Sequence, residues 1–126
     1  MEANLFLWIN GVLYLIFSLW CFLQPTKTAG FVGFGLLNVS GKSEFLAVYA
    51  GLEMGMAIFF LFCANDPSLQ YAGVLFGTLM YIGINVFRGY SIARFGMVSL
   101  NTRILMLLEI AFAIWGVMLL RTLETT

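Results

Sequence analysis

Glu53, Arg88 and Glu109 are the residues of this 126-residue chain whose chemistry most needs explaining, because each lies inside an apolar stretch long enough to cross a bilayer. A helix turns 100° per residue, so positions four, seven and eleven apart share a face. That spacing places Tyr49, Ala57 and Phe60 with Glu53, and Gly77, Tyr81 and Asn85 with Arg88. It aligns Thr102, Ala113 and Gly116 with Glu109, and gathers Asn10, Tyr14, Ser18 and Cys21 on the first helix. Every helix thus carries a stripe of polar or small residues, the composition of surfaces that face other helices instead of lipid.

Counted at 1.5 Å per residue from the helix ends that carry the basic connections, Glu53, Glu109 and Arg88 reach similar depths, roughly 10 to 14 Å in. A charge at the bilayer centre costs about 2.5 to 3.5 kcal/mol, which roughly a dozen large apolar residues on the same helix offset. Insertion is therefore affordable, but exposure to lipid is not neutral, and inward pairing is expected with Arg88 as the one cation at that depth. One guanidinium does not balance two carboxylates. Either one carboxylate is protonated, or a cation completes the site. A buried ion-pair network that only sets helix register would use the same residues.

The elements that position these groups follow from composition. Of the chain, 62% is hydrophobic and only 10% charged, against roughly a quarter charged in soluble domains. Four segments, at about 5–23, 44–64, 69–94 and 102–121, each approach the twenty or so apolar residues that span about 30 Å. The expected fold is all-α, a single polytopic four-helix membrane domain over residues 1–126. A first helix that opens with Met1-Glu2 lacks the basic start of a cleavable leader and is expected to stay.

Breakers mark the connections: Gln24-Pro25-Thr26, Asn65-Asp66-Pro67 and the region from Gly96 to Asn101. Lys27 and Lys42 fall in the first connection, and Arg94 and Arg103 flank the third. The positive-inside bias puts those connections in the cytoplasm and both termini outside, in a bacterial inner membrane, with Arg121 as the dissenting cation. The first connection holds an apolar, glycine-rich run at 29–37, too short to span, which is read as interfacial or re-entrant.

A further stripe, Ala47, Gly51 and Gly55, lies about 200° around the helix from Glu53 and predicts close neighbours on two sides, from the bundle or from an oligomer. Gly73 and Gly77 offer a similar packing surface on the third helix. Cys21 and Cys63, near the ends of consecutive antiparallel helices, are expected to be separate thiols. The chain has no histidine, and neither a metal-ligand cluster nor an activated nucleophile can be read from it; no metal, cofactor or enzymatic activity is expected. A net charge of zero gives no reason to expect a nucleic-acid partner. The expected partners are the lipid bilayer and a second copy or another membrane protein.

Two stretches, EFLAVYAGLEMGMAIFFL and FRGYSIARFG, resemble a family of small, uncharacterised bacterial four-helix membrane proteins, domain of unknown function 4345. EFLAVYAGLEMGMAIFFL is similar to that family's acidic residue, Tyr-Gly-Gly, acidic residue and small residues, with Ala50 where a glycine would precede Gly51. FRGYSIARFG is similar to its Gly-Arg-x-x-Ser, with Gly89 after Arg88 instead of before it. The resemblance implies a four-helix integral membrane fold, with Glu44, Tyr49, Gly51, Glu53, Arg88 and Ser91 as positions of interest, and it implies no activity.

The charge bias makes a direct prediction. A reporter that is active only in the cytoplasm should be silent when fused to the carboxyl terminus, and activity there would reverse the orientation.

Overall fold

The computed structural model describes residues 2–125. Helix α1 covers Glu2–Leu23 and ends against Pro25, which has no amide hydrogen to continue the ladder but suits the first position of a new helix. That new helix, α2, covers Pro25–Phe31, and Gly33, at φ +90°, turns the chain back behind it. Helix α3, Val39–Asn65, begins where the Asn38 side chain accepts a hydrogen bond from the Gly41 amide at 2.8 Å. At the second connection Asp66 accepts from the Ser68 amide at 3.0 Å and the Ser68 hydroxyl at 2.6 Å. Those bonds hold the Asp66 carboxyl below the usual aspartate range. Helix α4, Gln70–Phe95, stops at Gly96 with φ +109°, and α5, Leu100–Glu124, is capped by Ser99.

Among the described residues α1, α3, α4 and α5 are long and apolar enough to cross a membrane. The chain is an all-α bundle of these helices. The apolar run after the first span is not a fifth crossing, because the seven residues of α2 cover only about 10 Å. Thr28 and Ala29 of α2 are fully buried, and Phe31 meets Trp20 edge-on at 5.4 Å.

One boundary differs from expectation: α3 starts at Val39, not at 44, because the Asn38 cap nucleates a helix that runs unbroken into the span. Lys42 therefore stands on the helix, not in the connection. The same helix contains another departure. Over Leu46–Leu52 it widens into a π-helix, with the Glu53 amide reaching back to the Val48 carbonyl. Such segments are rare, and they shift the register of everything that follows against everything before.

The core is divided. At one end Ala3, Phe6 and Leu7 of α1 meet Phe60, Cys63 and Ala64 of α3, Val74 and Tyr81 of α4 and Leu119 of α5. At the other end Cys21, Ala29 and Phe45 pack with Phe17, Leu36, Tyr49 and Ala50, and neither α4 nor α5 contributes. The glycines on the packing faces make the close contacts. A Cβ at Gly73 would stand 2.8 Å from Cys63 Cβ, one at Gly77 3.1 Å from the Phe6 ring, and one at Gly116 3.1 Å from Thr78 Cβ, whereas the exposed Gly83 and Gly89 have nothing within 4 Å. These contacts concentrate toward the chain termini; toward the basic connections the Asn101 side-chain amide of α5 reaches the Phe31 carbonyl of α2 at 3.5 Å.

Gly116→Ala and Gly73→Ala should each lower stability by about 1 to 3 kcal/mol through overpacking. Gly83→Ala, with open space at its Cβ, should raise it by up to about 1 kcal/mol through helix propensity. Thermal unfolding in detergent reads both signs, and equal effects at all three glycines would contradict this difference in packing.

Candidate functional site

At the inner limit of the core nearer the chain termini, the Asn10 side chain, fixed by donating to the Phe6 carbonyl at 2.8 Å, accepts a hydrogen bond from the Tyr81 hydroxyl. Both groups are buried. Tyr81 stacks on Phe112 and Tyr14 on Phe60, so the phenols are held by aromatic packing across helix interfaces. Tyr14 lies within hydrogen-bonding reach of Tyr81, and both sit in the electrostatic field of Glu53 and Glu109. This layer of one amide and two phenols joins α1 to α4.

Above it stands the ion pair. Arg88 Nη2 donates to both oxygens of Glu109, at 3.0 Å each, and the two side chains are 24% and 16% exposed. Arg88 does reach this depth, because α4 continues past it to Phe95. The pair uses one guanidinium nitrogen and both carboxylate oxygens. Nη2 is therefore committed to Glu109, while Arg88 Nε is buried without a partner.

Glu53 is not in that pair. Its Oε2 is buried with no hydrogen-bond partner, as is Oδ1 of Asn85, whose Nδ2 donates to the Tyr81 carbonyl at 2.8 Å. The expectation that Arg88 joins Glu53 or Glu109 is met by Glu109 alone. The π-helix explains part of this: it ends at Leu52, immediately before Glu53, so the carboxylate does not occupy the position a regular helix from Val39 would give it. Tyr49, inside the π-helix, stacks on Phe45 at 4.8 Å and feels both Glu53 and Arg88.

The other residues read from the sequence divide. Ser18 is buried but donates to the Leu15 carbonyl at 3.0 Å and lies 3.8 Å from the Met54 sulfur, and Ser91 donates to the Arg88 carbonyl at 2.8 Å. Both hydroxyls serve their own helices and not the charge site. Glu44 is exposed and forms no ion pair among the described residues. Ala47, Gly51 and Gly55 are exposed too, and the expected pair of close neighbours is missing within the chain: a Cβ at Gly55 would meet nothing within 4 Å. The stripe misses because α3 already packs against α1 by its other face, where Ala57 and Leu61 receive Gly11. Gly73, Gly77 and Gly116 pack closely, as expected. Cys21 and Cys63 are free, buried and in separate core clusters.

Sequence reasoning missed Gly11 and Thr78, the partners of Leu61 and Gly116, and it placed Asn10 on the right stripe without seeing its bond to Tyr81. The π-helix had one local signal, Gly51 near its end.

The profile of the family described as Domain of unknown function (DUF4345) matches residues 3–120. The chain belongs to that family. No match was found among curated proteins or among solved structures. For this family member, the match covers all four long helices almost completely, including Glu53, Arg88 and Glu109.

Arg88→Ala would leave Glu109 partly buried with no countercharge, so the fold should weaken by about 3 kcal/mol. Glu109→Gln keeps an acceptor for the guanidinium and should cost less. Thermal midpoints in detergent compare the two, and a smaller loss for Arg88→Ala would remove the pair from the forces that hold α4 to α5.

Proposed function

We propose that this chain is a small multi-pass membrane protein that binds, and passes on, a proton or a small cation at Glu53. The observation that supports this reading is the buried Oε2 of Glu53, which has no hydrogen-bond partner, while Arg88 Nη2 is taken by Glu109. An ionised carboxylate oxygen without a donor is costly away from water. It is relieved by a proton or by a cation, and the exchange of one for the other is the elementary event of intramembrane transport. Arg88 and Glu109 would serve as a fixed neutral pair that keeps a second cation from being needed, and Asn85 Oδ1 offers a further oxygen. We place the chain in a bacterial inner membrane with both termini outside, so Glu53 would lie nearer the cytoplasmic side.

A competing reading is an accessory subunit, favoured by one observation: Ala47, Gly51 and Gly55 present an exposed small-residue stripe that no other helix packs against closely among the described residues. A second copy or another membrane helix could lie there, with the charges acting only in packing.

Glu53→Gln separates the two. It removes the charge while retaining hydrogen-bonding groups, so the Arg88–Glu109 pair and the melting temperature should be kept or improved. In vesicles reconstituted with purified protein, proton or monovalent-cation flux should be lost in this variant. Unchanged flux at comparable stability, or no flux from the parent protein, would leave the accessory reading.

A further inference from the structure

Arg121 is the cation that the charge bias does not explain. It lies near the carboxyl end of α5, at the rim that otherwise carries Glu2, Asp66 and Glu124. Glu124, one turn away, is engaged elsewhere, accepting from the Tyr71 hydroxyl at 3.3 Å, and Arg121 has no ion-pair partner among the described residues. Directly below it runs a groove of about 380 Å³ between α4 and α5, lined by Ile82, Ala113, Ile114, Val117 and Met118. Every one of these side chains is apolar. From Ala113 to Arg121 the groove follows α5 for about 12 Å, from mid-membrane to the interface.

We propose that this groove is the site of one anionic phospholipid, an acyl chain lying along Ile82, Ile114 and Val117 and the phosphate meeting the Arg121 guanidinium. Charge complementarity selects the occupant. A hydrocarbon chain needs no hydrogen-bonding groups from the walls, and its headgroup brings an anion to the depth where Arg121 waits for one. An apolar helix would fill the groove but leave the guanidinium unanswered, and a soluble anion would answer it but leave the groove empty. A cation at headgroup level favours an anionic lipid by about 1 kcal/mol. The site lies on the α4–α5 side, toward the chain termini, and does not depend on Glu53.

The test uses purified full-length protein in detergent, titrated with phosphatidylglycerol or phosphatidylcholine and read by native mass spectrometry. Arg121 is exposed, so its substitution should leave the fold intact. Arg121→Ala should weaken phosphatidylglycerol binding about five-fold, the contribution of one interfacial cation, with phosphatidylcholine unaffected. Arg121→Lys should retain most of the binding, and Arg103→Ala, at the opposite rim, should retain all of it. Millimolar glycerol 3-phosphate should not displace the lipid. Unchanged phosphatidylglycerol binding in Arg121→Ala, an equal loss in Arg103→Ala, or displacement by glycerol 3-phosphate would each overturn the site, the last by showing that the headgroup alone suffices.

Discussion

A guanidinium on a strongly apolar helix needs a countercharge from another part of the chain, and Arg88 finds one in Glu109. The two residues lie on consecutive helices, so the pair fastens α4 to α5. Packing differs on its two sides. Below the pair, toward the termini, Thr78 fills the notch at Gly116 and Phe6 sits over Gly77, and all four spans converge. Toward the basic connections α1, α2 and the start of α3 make a core of their own, to which α4 and α5 do not contribute.

That division has a simple cause. Close approach of helices in a membrane depends on small residues facing one another, since lipid is as apolar as any side chain. Such residues meet a partner helix on the packing face toward the termini. Gly83 and Gly89 of α4 lie off that packing face, with no side chain near them, while Asn85 and Arg88 keep buried polar atoms without partners.

The π-helix in α3 belongs to the same account. It adds width to the helix that carries Glu53 and offsets that carboxylate from the register that the preceding turns would set. Were α3 regular, Glu53 would project along a different direction relative to Tyr49 and Phe45, and competition with Glu109 for Arg88 would follow from the charges alone. Separation of the two carboxylates is thus a backbone feature as much as an electrostatic one, and rare segments of this kind recur at functional sites.

How much of this was legible without coordinates follows from range. Hydropathy and length determined four spans, because every backbone group in hydrocarbon must be satisfied locally and only helices do so within one segment. Periodicity assigned Tyr81, Asn85 and Arg88 to one face and Gly116 to a packing surface, since those relations are internal to a helix. Family membership was likewise visible in two short stretches around Glu53 and Arg88. What required the tertiary structure was every choice between equivalents. Glu53 and Glu109 lie at the same depth with the same chemistry, and only the positions of the helices decide which meets Arg88. Gly51 with Gly55 and Gly73 with Gly77 are alike as stripes, yet α1 covers one and leaves the other bare. A residue's own helix sets its face; its partner is set by helices far away in the chain, through packing that no local pattern records.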